Sequence, residues 1–92
     1  MSAYVAIRFE VTNPEAYGRY RELAGPSVKA HGGSIVTMGA MEYLEGSDTA
    51  TNFGMLEFPS DEQAKAWFES SEYQLARDAR AGAGDMSIAV IS

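Results

Sequence analysis

Along residues 3–11 apolar and polar positions alternate one by one. Val5, Ile7, Phe9 and Val11 fall on one side, and Tyr4, Ala6, Arg8 and Glu10 on the other. Period two predicts a strand over Ala3–Val11 with its first side against a core. The period then lengthens. Tyr17, Tyr20, Leu23, Ala24, Ser27, Val28 and His31 recur at three- and four-residue steps, the stripe of an amphipathic helix. Asn13-Pro14 starts it, since Asn caps orphan N–H groups and Pro suits the first helical position. Gly25-Pro26 predicts a break or kink inside it. Gly32 supplies a left-handed C-cap, and Gly33 lets the chain turn.

Ser34–Leu44 reads as a second strand with apolar groups on both sides, which predicts burial on both. Gly39 within it marks a bulge or a close backbone approach. The polar run Glu45–Thr51 is a turn, and Asn52–Phe58 is a third strand stopped by Pro59. Ser60 with Gln63 forms a capping box, and Asp61 and Glu62 suit the positive end of a helix dipole. Ala64, Trp67, Phe68 and Ser71 follow at helical spacing. Ser70 and Ser71 interrupt that helix. A second one then carries Tyr73, Ala76, Ala79, Arg80 and Ala83 on one face. The linker Ala81–Asp85, AGAGD, precedes a last strand over Asp85–Ile91.

The order strand, helix, strand, strand, helix, strand repeats a βαβ unit twice. It predicts an α+β, ferredoxin-like βαββαβ fold, an antiparallel sheet with helices on one face. Its other face would expose Tyr4, Ala6, Val36, Met38, Ala40 and Ala89, or their alternates. An apolar patch of that kind marks an interface, and a second copy of the chain across a two-fold axis is the simplest cover.

The 92 residues predict one domain over 1–92. The formal net charge of -6 argues against nucleic-acid binding, which needs clustered Lys and Arg. No run is apolar enough to span a bilayer, and Arg8 and Glu10 interrupt the only N-terminal apolar segment. With no cysteine, disulfides, thiol catalysis and Cys-based metal sites are excluded. A cytoplasmic protein is the expectation.

His31, the only histidine, is the candidate general acid or base, because imidazole titrates near neutrality. Its structural alternatives are a contact with the helix C-terminus, the edge of the core, or solvent. It has no partner at metal-ligand spacing, so no metal site is expected. No Gly-rich phosphate loop or other cofactor signature occurs, so no cofactor is expected. Arg8 and Arg80 are candidate anion donors, and Tyr17, Tyr20, Trp67 and Tyr73 a candidate aromatic wall. Plain core packing is the alternative for the aromatics, and an exposed or cross-strand-paired charge for Arg8. Glu57 is expected to pair with Arg8 across adjacent strands.

Several pieces resemble a known family. They are Asn13-Pro14-Glu15 with Tyr17 and Tyr20, His31-Gly32-Gly33, Leu44-Glu45-Gly46, Glu57-Phe58-Pro59-Ser60, and Trp67-Phe68 with Ser71-Glu72-Tyr73-Gln74, then Arg77 and Arg80. Together they resemble the small bacterial proteins of domain of unknown function family 1330, in the dimeric α+β barrel superfamily. The resemblance implies a homodimer whose sheets face each other. It also implies kinship with superfamily members, monooxygenases and isomerases, that use a pocket between sheet and helices. Two functions follow as expectations. One is a site for a small aromatic or carboxylate molecule, in a binding protein or a cofactor-free enzyme. The other is a non-catalytic dimer that senses a ligand or engages a partner. Two positions depart from the family. Relatives often carry an arginine followed by glycines where this chain reads Met38-Gly39-Ala40, and a proline where it has Ser71, a residue expected to act there as an N-cap.

Overall fold

The structure is a computed structural model and describes residues 2–91. Its elements are β1 (Ala3–Phe9), α1 (Pro14–Ala30), β2 (Ser34–Ala40), β3 (Asn52–Phe58), α2 (Asp61–Glu69), α3 (Ser71–Ala79) and β4 (Met86–Ile91). The strands form one antiparallel sheet in the order β2-β3-β1-β4. Ala3, Val5, Ile7 and Phe9 are buried, and the alternating partners Tyr4 and Arg8 are exposed. The fold is the α+β, ferredoxin-like βαββαβ arrangement that the pattern predicts.

The core lies between β1, β3 and the helices. Trp67 and Tyr73 are its largest fully buried side chains. Their ring centroids are 4.4 Å apart, and Phe58 lies 5.5 Å from Trp67. One hydroxyl joins the helices beneath this cluster. Ser27 Oγ accepts a hydrogen bond from Trp67 Nε1 at 3.0 Å and donates one to the Ala24 carbonyl at 2.6 Å. The buried indole N–H and serine hydroxyl are therefore both satisfied, as groups removed from water must be.

The helix ends follow their caps. Asn13 Oδ1 accepts from the N–H groups of Glu15 and Ala16, with Pro14 at the first position. Ser60 Oγ accepts from Gln63 N. Gly32 takes φ +79 after α1, the left-handed turn expected of it. Gly84 takes φ +132, and a Cβ there would run into the Glu10 carbonyl. This close approach lets Glu10 N and Thr12 N donate to the carbonyls of Asp85 and Ala83 at 2.9 and 2.6 Å. The end of β1 is thereby tied to the linker, and regular pairing stops at Phe9 instead of Val11.

Several expectations are corrected. Of the break or kink expected at Gly25-Pro26, no break occurs, and α1 continues to Ala30. The carbonyl that loses its donor to Pro26 belongs to Glu22, and both residues are exposed, so that carbonyl is not buried without a partner. Leu23 leaves the buried stripe, at 43% exposure. The N-cap of α3 is Ser70, whose Oγ accepts from Tyr73 N, and Ser71 is the first helical residue. A proline in its place would suit that position equally.

The largest correction concerns β2. It ends at Ala40, it is an edge strand, and all of its residues are exposed. No helix packs extensively over it, whereas α2 packs on β1, β3 and β4. Its irregularity falls at Val36, not Gly39. Ile35 pairs with Leu56 and Thr37 with Met55, so one residue is extra. That insertion reverses the alternation of everything after it. Met38 and Ala40, expected on the uncovered face, instead pair with Gly54 and Asn52 and share the helix side with Ile7 and Phe9. The uncovered face carries Tyr4, Ala6, Phe53, Met55, Ala89 and Ile91.

Candidate functional site

The sheet is wider than its helical cover. Helix α1 packs mainly on α3 and leaves the β2 side open beneath it. The gap is a cavity of about 160 Å³. Ile7, Phe9 and Leu56 form its floor, and Tyr17, Tyr20 and Val28 of α1 its roof. Trp67 closes the back. Arg21, Gly25, Ile35 and Met38 surround the open side.

The walls are aromatic and ordered by stacking. Tyr17 lies 5.2 Å from Phe9 and 6.1 Å from Tyr20, both near parallel. Tyr20 meets Tyr73 edge-on, and their hydroxyls are 3.1 Å apart. Burial pushes the Tyr20 phenol far above its ordinary value, and neighbouring Tyr73 adds to the rise. Burial also raises the Tyr17 phenol, against a smaller opposing pull from the Arg21 charge. Both phenols are therefore neutral hydrogen-bonding groups across the physiological range. The Arg21 guanidinium carbon lies 5.9 Å from the Tyr17 ring, a cation held at the mouth by an aromatic face. The cavity thus offers apolar walls, phenol hydroxyls and one permanent positive charge.

Of the residues singled out by sequence, the structure brings Tyr17, Tyr20 and Trp67 together in this wall. Tyr73 stands behind it, fully buried against Tyr20 and Trp67. Arg80 lies over the Tyr20 ring at 5.7 Å, and its buried Nε has no hydrogen-bond partner. It does not line the cavity. His31 is elsewhere, at the C-cap of α1. Its Nε2 lies 3.5 Å from Glu72 Oε2, close enough for an ion pair but not in hydrogen-bonding geometry. Glu72 is held below its ordinary carboxyl value first by its own backbone N–H, with Ser71 and His31 adding. Arg8 points from the opposite face of the sheet and pairs with Asp48. The expected Arg8–Glu57 pair does not form. Glu57 is opposite Tyr4, while Arg8 is opposite Phe53, so the register holds them apart.

Sequence reasoning missed Arg21 and Met38. Arg21 was within reach, because it stands four residues after Tyr17 and so beside it on a helix. Met38 was not, because the extra residue at Val36 leaves no mark in the alternation. Among the described residues no group of three or more His, Cys, Asp or Glu side chains could hold a metal ion. No described helix is long and apolar enough to cross a membrane.

The family described as "Domain of unknown function (DUF1330)" matches residues 2–92. No curated protein matches the chain. Solved structures do. A protein of unknown function from Rhodopseudomonas palustris superposes with a TM-score of 0.76 at 20% identity, over 98% of this chain and 80% of that one. SnoaB, a cofactor-independent oxygenase from Streptomyces nogalater, gives 0.72 at 9% identity, over 99% and 91%. A dimeric ferredoxin-like protein of unknown function from Thermobifida fusca gives 0.70 at 11% identity, over 100% and 91%. At these identities the likeness is one of fold.

Proposed function

From the premise that this chain belongs to the DUF1330 family, we propose that it is a homodimeric small-molecule binding protein, one domain over residues 1–92. Its ligand is a compact aromatic acid held in the cavity between α1 and the sheet. The observation that carries this reading is the pairing of an apolar, aromatic-walled space with the single cation Arg21 at its mouth. A flat ring would stack among Phe9, Tyr17 and Tyr20, and a carboxylate would turn outward to Arg21. The Tyr17 hydroxyl, on the same wall, would donate to a polar substituent.

Binding ranks ahead of catalysis because His31, the candidate acid or base, stands outside the cavity beside Glu72. Cofactor-free enzyme activity is the second reading. It is favoured by the fold shared with SnoaB, and in it Tyr17 would be the group nearest a reacting ligand. The homodimer reading rests on the uncovered sheet face, where Tyr4, Phe53, Met55 and Ile91 need a cover that the helices do not provide. A bacterial cytoplasmic setting remains part of the proposal.

Titration with benzoate, followed by Trp67 fluorescence and by thermal shift, tests the binding claim. Saturable binding that weakens about tenfold or more in Arg21→Met is the expected result, given the worth of a charge-assisted contact. Undiminished binding in that variant, or none in the wild type, overturns it. Sedimentation equilibrium tests the homodimer, and a stable monomer at micromolar concentration would refute it. Turnover of a bound aromatic acid that is lost in Tyr17→Phe would establish the enzyme reading.

A further inference from the structure

We infer that Met38 is the residue that sets ligand size at this cavity, admitting one-ring acids and turning away fused two-ring ones. The inference rests on the binding reading above and adds a selectivity filter to it. Its basis is the one-residue insertion at Val36. Before it, Ile35 faces the helices, and after it so does Met38, three positions on instead of the usual even number. Only such an offset delivers both side chains to the open edge of the cavity.

Met38 is also seated. A Cβ at Gly54, the residue opposite, would stand 2.8 Å from the Met38 methyl carbon and 3.9 Å from the Ile7 Cβ. The bare glycine leaves the space in which the thioether lies. On the other side, Met38 Sδ is 4.0 Å from the Tyr17 hydroxyl, and Met38 and Arg21 line the same cavity. Met38 is 42% exposed, so it separates the cavity from solvent. An unbranched thioether makes an adaptable wall, with no branch to fix its shape.

Volume decides which ligands fit. The cavity of about 160 Å³ is close to the ~150 Å³ apolar cavity that accepts benzene in a well-studied case. With one ring filling that volume, a second fused ring would extend toward the open side, where Met38 stands. Shortening this side chain removes its last three heavy atoms from the mouth and leaves Arg21 and the tyrosines in place.

The test is calorimetric titration of the purified protein with benzoate and with 2-naphthoate. The wild type should bind benzoate the tighter. Met38→Ala should shift the ratio of the two Kd values toward 2-naphthoate by about tenfold or more, the scale on which apolar pockets discriminate size. Met38→Leu, of similar volume, should keep the wild-type order. Met38→Val gives an intermediate shift and carries the test if the alanine variant folds poorly. An unchanged ratio in both smaller variants, with benzoate still bound, overturns the role of Met38 alone. If neither acid binds the wild type, the binding reading falls and this one with it.

Discussion

The two halves of the sheet are finished differently. Over β1, β3 and β4, helix α2 lies in close contact, and Trp67, Phe58 and Tyr73 fill the space behind it with polar ends satisfied. Over β2 no helix packs extensively, Ile35 and Met38 are exposed, and a cavity remains under α1. A uniformly packed domain would gain stability from filling that space. The contrast separates a half that holds the fold from a half whose cavity is the proposed ligand site. Each half should therefore respond to substitution in its own way.

Trp67→Ala removes the largest side chain of the packed half and the hydrogen bond to Ser27. It should cost about 3–5 kcal/mol of unfolding free energy, read from urea midpoints. A loss as small as that of an exposed residue would break the contrast at once. Tyr20→Phe sits at the boundary between the halves. It leaves the fully buried Tyr73 hydroxyl without its partner, and about 1–3 kcal/mol should be lost. The same pair predicts a pH response. The folded chain holds the Tyr20 proton to higher pH than the unfolded chain, whose phenol has the ordinary value of 10.0. The stabilisation is therefore complete below that value and declines as pH rises from it toward the folded value. Its slope approaches ~1.4 kcal/mol per pH unit for one group. Urea titrations between pH 9 and 11 should show a shallower decline in Tyr20→Phe than in the wild type.

The smallest expected effect has the opposite sign. Gly18 lies within α1 away from the cavity, and a Cβ there would meet nothing within 4 Å. Gly18→Ala should raise stability by about 0.5–1 kcal/mol, the usual helical preference for alanine. Binding of an aromatic acid should be unchanged, because Gly18 does not line the cavity. A gain in stability with binding retained would sharpen the contrast. A loss of stability would show that α1 is less tolerant than its geometry implies.

Much of the fold was legible because its signals are local. Asn13-Pro14, Gly32, Ser60 with Gln63, and the period-two run from Ala3 act through neighbours in sequence, and each does what its chemistry predicts. The family likewise follows from pieces such as Glu57-Phe58-Pro59-Ser60. The candidate site was legible only in part. Tyr17, Tyr20 and Trp67 were found because aromatic stripes on two helices must meet over one sheet. Arg8, Arg80 and His31 carry suggestive chemistry, but tertiary placement decides where a long or terminal side chain points. Arg8 lies on the far face with Asp48, and His31 at a helix end with Glu72. Met38 was assigned to the wrong face because strand parity was carried straight through Val36, and a bulge is set by pairing with a neighbour strand.

The irregularity at Val36 has one more effect. As an outermost strand, β2 presents N–H and C=O groups that a stray chain could pair with, beside the exposed side chains of Ile35 and Val36. A flat strand of that composition is a template for aggregation. An offset midway along it bends the rim and disrupts the regular spacing that a foreign backbone would have to match. The residue that turns Met38 inward therefore also protects molecules of this protein from joining one another edge to edge.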